Sequence, residues 1–213
     1  MHAMTRETER LGRAAQDPIV GGLPDIPGIG VAMRLTEGLG VHMRGLADEL
    51  LVHDYPGATI RRHEREMLAT AVSAANDCFF CMDSHAAHAR ALMAREGAME
   101  LAPMLDVIRD GSSDGLDGKM SALVHIARTV QAAPLRLTRA DVDAATAAGA
   151  SDGDVQLAVL IAAAFSMYNR MVDGLRAHTP PSEEVYTKRA GEIAERGYSA
   201  PRPTAQPTAE SAS

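Results

Sequence analysis

The sequence predicts an all-α single domain, and three observations carry that expectation. Hydrophobic residues make up 46 % of the 213-residue chain, yet aromatics are only 3 % and tryptophan is absent. Core volume must then come from Ala, Leu, Val, Ile and twelve Met, a palette that suits close-packed helices better than β-sandwiches. Apolar residues also recur at i, i+3/i+4 over long stretches, and helix start and stop residues flank those stretches. The length gives room for one well-buried domain and little for two.

Residues 1–28 are polar and then rich in Gly and Pro (Pro18, Gly21, Gly22, Pro24, Pro27, Gly28), which predicts a flexible N-terminal arm ahead of a helical domain over 29–180. Residues 29–53 set Met33, Leu35, Leu39, Met43, Leu46, Leu50 and Leu51 on helical rows. Gly38, Gly40 and Gly45 leave open whether this is one helix or two short ones. Residues 61–75 begin charged (RRHERE) and continue apolar (MLATAVSAA), a helix ended at Asn76. Asp77 is expected to N-cap the next helix, over residues 78–95, so that a helical hairpin carries the two cysteines. A helix over 97–109 is expected to be interrupted early by Pro103, with a loop at 111–115. The next helix, 116–132, stops at Pro134.

Thr138 with Asp141, and Ser151 with Asp154, fit capping boxes. The first opens a short helix closed by Gly149. The second opens a long apolar helix expected to run to about His178, before Pro180-Pro181. Residues 181–198 predict an amphipathic C-terminal helix. The Pro/Thr/Ala/Ser-rich segment 199–213 predicts a disordered tail.

A formal charge of −7 and a pI of about 5.6 argue against a nucleic-acid partner, which needs a basic footprint. No run of roughly 20 uninterrupted apolar residues suggests a membrane span, and MHAMTRETERLGR lacks the apolar core of a secretory signal. The expectation is a cytoplasmic protein with no membrane partner. In a reducing compartment a lone CxxC points to catalysis or metal binding more than to a structural staple.

That CxxC is the chain's most specific motif: Glu66, eleven residues, Cys78, two residues, Cys81, three residues, His85. These are its only cysteines. On a helix, Cys78, Cys81, His85 and His88 fall within about 80° of one another. A thiolate in the first helical turn is stabilised by free backbone N–H groups and the positive dipole end. His85, four residues after Cys81, can reach that sulfur. If the helices pack antiparallel, Glu66 returns beside the thiols and can relay a proton. Blander readings stand beside these: Glu66 as a solvated helix charge, His88 as a surface residue. A metal site on Cys78, Cys81, His85 and His88 would strain tetrahedral geometry, because all four come from one short helix.

The segment RRHEREMLATAVSAANDCFFCMDSHAAHAR resembles the core of the alkylhydroperoxidase D-like (AhpD-like) branch of the carboxymuconolactone decarboxylase superfamily, with Glu, two Cys and His at the family's offsets. The later AFSMYNRMVDGL resembles the peroxidase-related subgroup. The likeness covers residues 45–180. It implies an all-helical fold assembled as a homo-oligomer, a trimer or hexamer, and cofactor-free, peroxiredoxin-like reduction of hydroperoxides. Cys81 would be the peroxidatic thiolate and Cys78 the resolving thiol. His85 and Glu66 would be the proton relay. An external dithiol or a lipoyl- or thioredoxin-type reductant would restore the pair. One departure is Phe80, which stands where the family's best-known peroxidase has a His, and it makes the thiol surroundings drier. The alternatives are a decarboxylase or lactone-processing enzyme on the same fold, whose family counterparts lack the redox CxxC, and a metal-binding or redox-sensing protein.

Overall fold

Several helices begin where the side-chain chemistry supplies a cap, as at Thr36, Thr138, Ser151 and Ser182. The computed structural model describes residues 17–116 and 118–199, with Thr8 and Gly12; within them lie nine α-helices and no strand. The expected tail beyond Ser199 lies outside the described residues, as does most of the first sixteen. α1 (Gly30–Leu35) and α2 (Glu37–Leu51) are separate helices. Thr36 between them is extended (φ −142°, ψ 147°), and its hydroxyl accepts a bond from Leu39 N at 3.2 Å. α3 (Arg62–Ala75) and α4 (Phe79–Glu96) follow, then a 3₁₀ turn (Met99–Leu101) and α5 (Ala102–Arg109). Pro103 does not interrupt α5 but sits in its first turn, where its missing N–H costs nothing.

α6 (Gly118–Ala132), a 3₁₀ turn (Pro134–Arg136), α7 (Arg139–Ala147), α8 (Asp152–Gly174) and α9 (Glu183–Arg196) complete the chain. Both capping boxes form: Asp141 N donates to the Thr138 hydroxyl, and Asp154 N to that of Ser151. α8 stops four residues short of His178. Arg176 turns left-handed (φ 47°), and Ala177 N closes back onto the Val172 carbonyl at 3.0 Å.

α3 is the central helix. Met67, Leu68, Ala69, Ala71 and Val72 are fully buried, and α3 touches α4, α5, α6 and α8. Its alanines let those neighbours approach closely. Three side-chain bonds link polar groups between helices: Gln131 Nε2 donates to Asn76 Oδ1 (2.7 Å), Asn76 Nδ2 to Asn169 Oδ1 (2.8 Å), and Asn169 Nδ2 to Ser73 Oγ (3.1 Å). This chain of amides joins α3, α6 and α8 and satisfies groups that would otherwise be costly to bury. The expectation that no run is long and apolar enough to span a membrane fails for α8, which matches by length and composition, though 56 % of that window is buried within the fold.

Asp154 ties the start of α8 to the segment before α3. Its carboxylate accepts from Thr59 N (2.6 Å), Ile60 N (2.9 Å), Thr59 Oγ1 (2.8 Å) and Ser151 N (3.0 Å), and pairs with Lys119 at 3.2 Å. α3 and α4 run antiparallel. His63 Nδ1 meets Glu96 at 2.8 Å at one end of the pair, and Asn76-Asp77-Cys78 turns the chain at the other. α9 packs on α4, and Arg62 donates to the carbonyls of Ala194 (3.1 Å) and Ile193 (3.3 Å) at its C-terminal end, where a cation is favoured.

Candidate active site

The turn between α3 and α4 places the cysteines. Asp77 adopts a left-handed conformation (φ 52°) and is not the N-cap; Cys78 occupies that position, with Phe79 the first helical residue. Cys81 is therefore in the first turn of α4. Both cysteines are free, lie 3.4 Å apart and are almost wholly buried, at 0 % and 3 % exposure. Their shell is apolar: Val31 and Ile29 come from around α1, Leu23 and Ile26 from the segment before it, and Val172 and Ala177 from around the end of α8. Residues 23–29 thus lie against the thiols. Gly28 (φ 56°) bonds to the His178 carbonyl at 2.9 Å, and a side chain there would run into the Phe80 ring. The Cys78 thiol titrates well above its usual range, first because of its hydrogen bond with Cys81 and then because of burial.

One turn further along α4, His85 reaches across to α3. Its Nδ1 is 2.7 Å from Glu66 Oε2, with both side chains buried. Glu66 is 1 % exposed, so it is not the solvated helix charge that its polar neighbours in sequence suggested. Burial alone would raise its pKa, but the hydrogen bond from His85 and the nearby imidazole of His88 outweigh it and bring the carboxyl down to about 2. An ionised carboxylate only accepts hydrogen bonds. His85 Nδ1 therefore carries the hydrogen, and in the neutral ring Nε2 is left as the basic atom.

Two further residues belong to this cluster. His88, expected at the surface, is 4 % exposed. Tyr198 Oη donates to Glu66 Oε1 at 2.7 Å and stands 3.1 Å from His88 Nδ1. Burial holds the His88 imidazole toward its neutral form, more than Glu66 pulls it back. Burial and the adjacent carboxylate raise the Tyr198 phenol well above its usual range. His88 was detectable in sequence, since it shares the helical face of Cys81 and His85. Tyr198 was not, because nothing in its local sequence ties it to Glu66.

The four residues singled out from sequence thus fall on α3 and α4 or the turn between them, as a thiol pair and a carboxylate–imidazole pair. Among the described residues, the side chains whose donor atoms cluster within 4.8 Å of one another are Glu66, His85 and His88, rather than the set with the cysteines. As hydrogen-bonded here, the carboxylate accepts and the imidazole keeps a basic Nε2, an arrangement that can pass a proton. An open groove of about 770 Å³ lies elsewhere, between α6 and α7, lined by His125, Arg128, Arg136 and Asp141 among others.

Residues 43–113, which contain Glu66, Cys78, Cys81 and His85, match the carboxymuconolactone decarboxylase family. No curated protein matches the chain. Among solved structures the fold is similar to one described as an alkylhydroperoxidase AhpD core, an uncharacterized peroxidase-related protein from Ralstonia eutropha JMP134. The TM-score is 0.62 at 23 % identity, over 78 % of this chain and 82 % of that one. It is also similar to an uncharacterized peroxidase-related protein from Silicibacter sp. TM1040, with TM-score 0.59 at 21 % identity, over 79 % of this chain and 95 % of that one. At these identities the likeness is one of fold.

Proposed function

We propose that this chain, an AhpD-like member of the carboxymuconolactone decarboxylase superfamily, reduces organic hydroperoxides through a Cys78/Cys81 dithiol cycle. The observation that carries this reading is the Glu66–His85 bond of 2.7 Å on the same antiparallel helix pair as two free thiols 3.4 Å apart. The Cys81 thiolate sulfur attacks one oxygen of the peroxide. The O–O bond breaks, the alkoxide leaves and takes a proton, and Cys81 becomes a sulfenic acid. The Cys78 sulfur then attacks Cys81 sulfur, the S–O bond breaks, water leaves and the disulfide forms. Two electrons and two protons from an external dithiol, of lipoyl or thioredoxin type, return both thiols.

Several features support these roles. The hydrogen bond with Cys81 and burial hold Cys78 in its protonated form, as suits the thiol that acts second. Cys81 lies in the first turn of α4, where backbone N–H groups favour negative charge. His85, with its hydrogen on Nδ1, has Nε2 as the base, and Glu66 stabilises the imidazolium that forms. The apolar shell around the thiols, with Phe80 in it, suits an alkyl hydroperoxide better than a small polar one. A reducing cytosol fits a cycle that must start from free thiols. A homo-oligomer is the expected assembly.

Mixing reduced protein with cumene hydroperoxide at pH 7 and following thiol loss tests the reading. The expected rate exceeds that of a simple dithiol by on the order of a hundredfold, ending in a Cys78–Cys81 disulfide. A rate equal to that of dithiothreitol would overturn it. A second reading, a metal centre on Glu66, His85 and His88, rests on their clustered donor atoms. Stoichiometric zinc in the purified protein, lost in His88→Ala, would favour that reading instead.

A further inference from the structure

We infer that Tyr198, brought in by the segment after α9, is a positioning residue that holds the Glu66 carboxylate on His85 and keeps His88 away from it. This rests on the thiol-peroxidase reading for its consequence in turnover, though not for its geometry. Glu66 has two carboxylate oxygens and three candidate donors around them. Oε2 takes His85 Nδ1 at 2.7 Å, and Oε1 takes the Tyr198 hydroxyl at 2.7 Å. His88 Nδ1 lies 3.7 Å from Oε2, too far for a hydrogen bond, and 3.1 Å from the Tyr198 oxygen. The phenol therefore bridges, donating to Glu66 and accepting from His88. Glu66, His85, His88 and Tyr198 are each 8 % exposed or less, so water does not readily substitute.

Without the hydroxyl, His88 Nδ1–H loses its acceptor in a dry interior. The Glu66 oxygen nearest to it is Oε2, at 3.7 Å, the one that His85 uses. Turning to it would set two imidazoles in competition for one oxygen while Oε1 stood unpaired, which buried carboxylates avoid. His85 would then lose the fixed partner that keeps its hydrogen on Nδ1. Orientation of an imidazole by a carboxylate, itself fixed by a further hydrogen bond, is the arrangement by which a base is kept in one tautomer.

The placement of Tyr198 is itself held. Tyr198 N and Ser199 N donate to the two oxygens of Asp48 on α2, at 2.6 and 2.9 Å. Gly197 turns the chain at φ 78°, and a side chain there would press on Asp48. The charged groups around the cluster are Asp48 from α2, Arg62 from α3 and Arg189 from α9. A residue used only to fill space needs no hydroxyl pointed at a carboxylate; here the ring already packs edge-on against His88, with centroids 5.6 Å apart.

The test compares full-length wild type, Tyr198→Phe and Asp48→Asn by two readouts. Long-range proton–nitrogen NMR of the histidine rings reports where the His85 hydrogen sits. The second readout is the pH profile of thiol oxidation by cumene hydroperoxide. In Tyr198→Phe the His85 ring is expected to lose its single Nδ1–H signature. The oxidation rate should fall by about tenfold to a hundredfold, with a displaced pH profile, and Asp48→Asn should move both readouts the same way by less. A variant that is merely less stable would keep the His85 signature and profile while folded, and that result overturns the inference. If Tyr198→Phe does not fold, an unchanged His85 signature in Asp48→Asn overturns it equally. If wild type oxidises no faster than a simple dithiol, the peroxidase reading fails, and the NMR comparison still decides the role of Tyr198.

Discussion

Glu66→Gln isolates the energetic weight of the buried carboxylate. The side chain keeps its shape but offers one oxygen and one NH₂ where two accepting oxygens stood. His85 Nδ1–H and the Tyr198 hydroxyl both donate to Glu66 now, so one of them must face another donor. The carboxyl sits at about 2 in the folded protein against an ordinary 4.5. That difference corresponds to about 3.5 kcal/mol at roughly 1.4 kcal/mol per factor of ten in proton affinity. Part of this is attraction to imidazolium charge, and His88 is held toward neutrality by burial. The hydrogen bonds to a charged acceptor then leave about 2–3 kcal/mol for the substitution to remove at pH 7.

The sign of the pH dependence follows from the depressed folded value. A lowered carboxyl contributes stability that is present above its unfolded pKa and lost as pH falls through the folded one. The difference between wild type and Glu66→Gln should therefore be full above about pH 5 and shrink steadily from 4.5 toward 2. The chain lacks tryptophan, so urea unfolding is followed by far-ultraviolet circular dichroism of its helices. With an m-value near 2 kcal/mol/M, the expected loss moves the pH 7 midpoint by about 1 M or more. A shift below about 0.3 M, or one of the same size at pH 3 and pH 7, would refute the reasoning.

Other substitutions test other parts. Cys78→Ser is expected to react with hydroperoxide yet stop at a sulfenic acid on Cys81, captured by dimedone and seen as a mass increment. Cys81→Ser should show no such adduct, and an adduct on Cys78 instead would reverse the proposed roles. Asp154→Asn should cost about 2–4 kcal/mol, because four protein donors and Lys119 converge on that carboxylate. Burial raises its pKa, but the bonds from Ser151, Ile60 and Thr59 outweigh it and hold it below the usual carboxylate range. The wild type's advantage over Asp154→Asn should thus fade as acid protonates Asp154, which paired unfolding curves at pH 3 and 7 would reveal. Gly28→Ala places a methyl against Phe80 at a left-handed position. It should cost at least about 1–2 kcal/mol and speed alkylation of Cys78 and Cys81 by iodoacetamide, since the segment covering them can no longer seat.

Much of the fold was legible because its helices carry their own boundary chemistry. Thr138/Asp141 and Ser151/Asp154 form the boxes their spacing announces, and Asn76 ends α3 as its position suggests. The misreadings arose where a boundary depends on backbone conformation. Asp77 has the right side chain for an N-cap but takes a left-handed turn, which passes that place to Cys78. Pro103 looks like a breaker in a string of letters and is an ordinary first-turn residue in space. α8 ends early because Arg176 turns, and no residue type near it demands that.

The site divides along the same line, between what one helix pair can encode and what only tertiary packing supplies. Cys78, Cys81, His85 and Glu66 are related by the period of α4 and the antiparallel return of α3, so spacing alone places them on one helix pair. His88 obeys that period too, yet its burial depends on α9 and Tyr198 covering it. Tyr198 stands 132 residues from Glu66 in sequence, and its place is fixed by Asp48, which is 150 residues away. A contact of that range leaves no periodic trace. It also completes the pairing of the carboxylate: without the segment after α9, Glu66 would lose the donor on Oε1. The carboxylate's depressed pKa is thus a property of helices meeting, even though the residue that titrates was visible from the start.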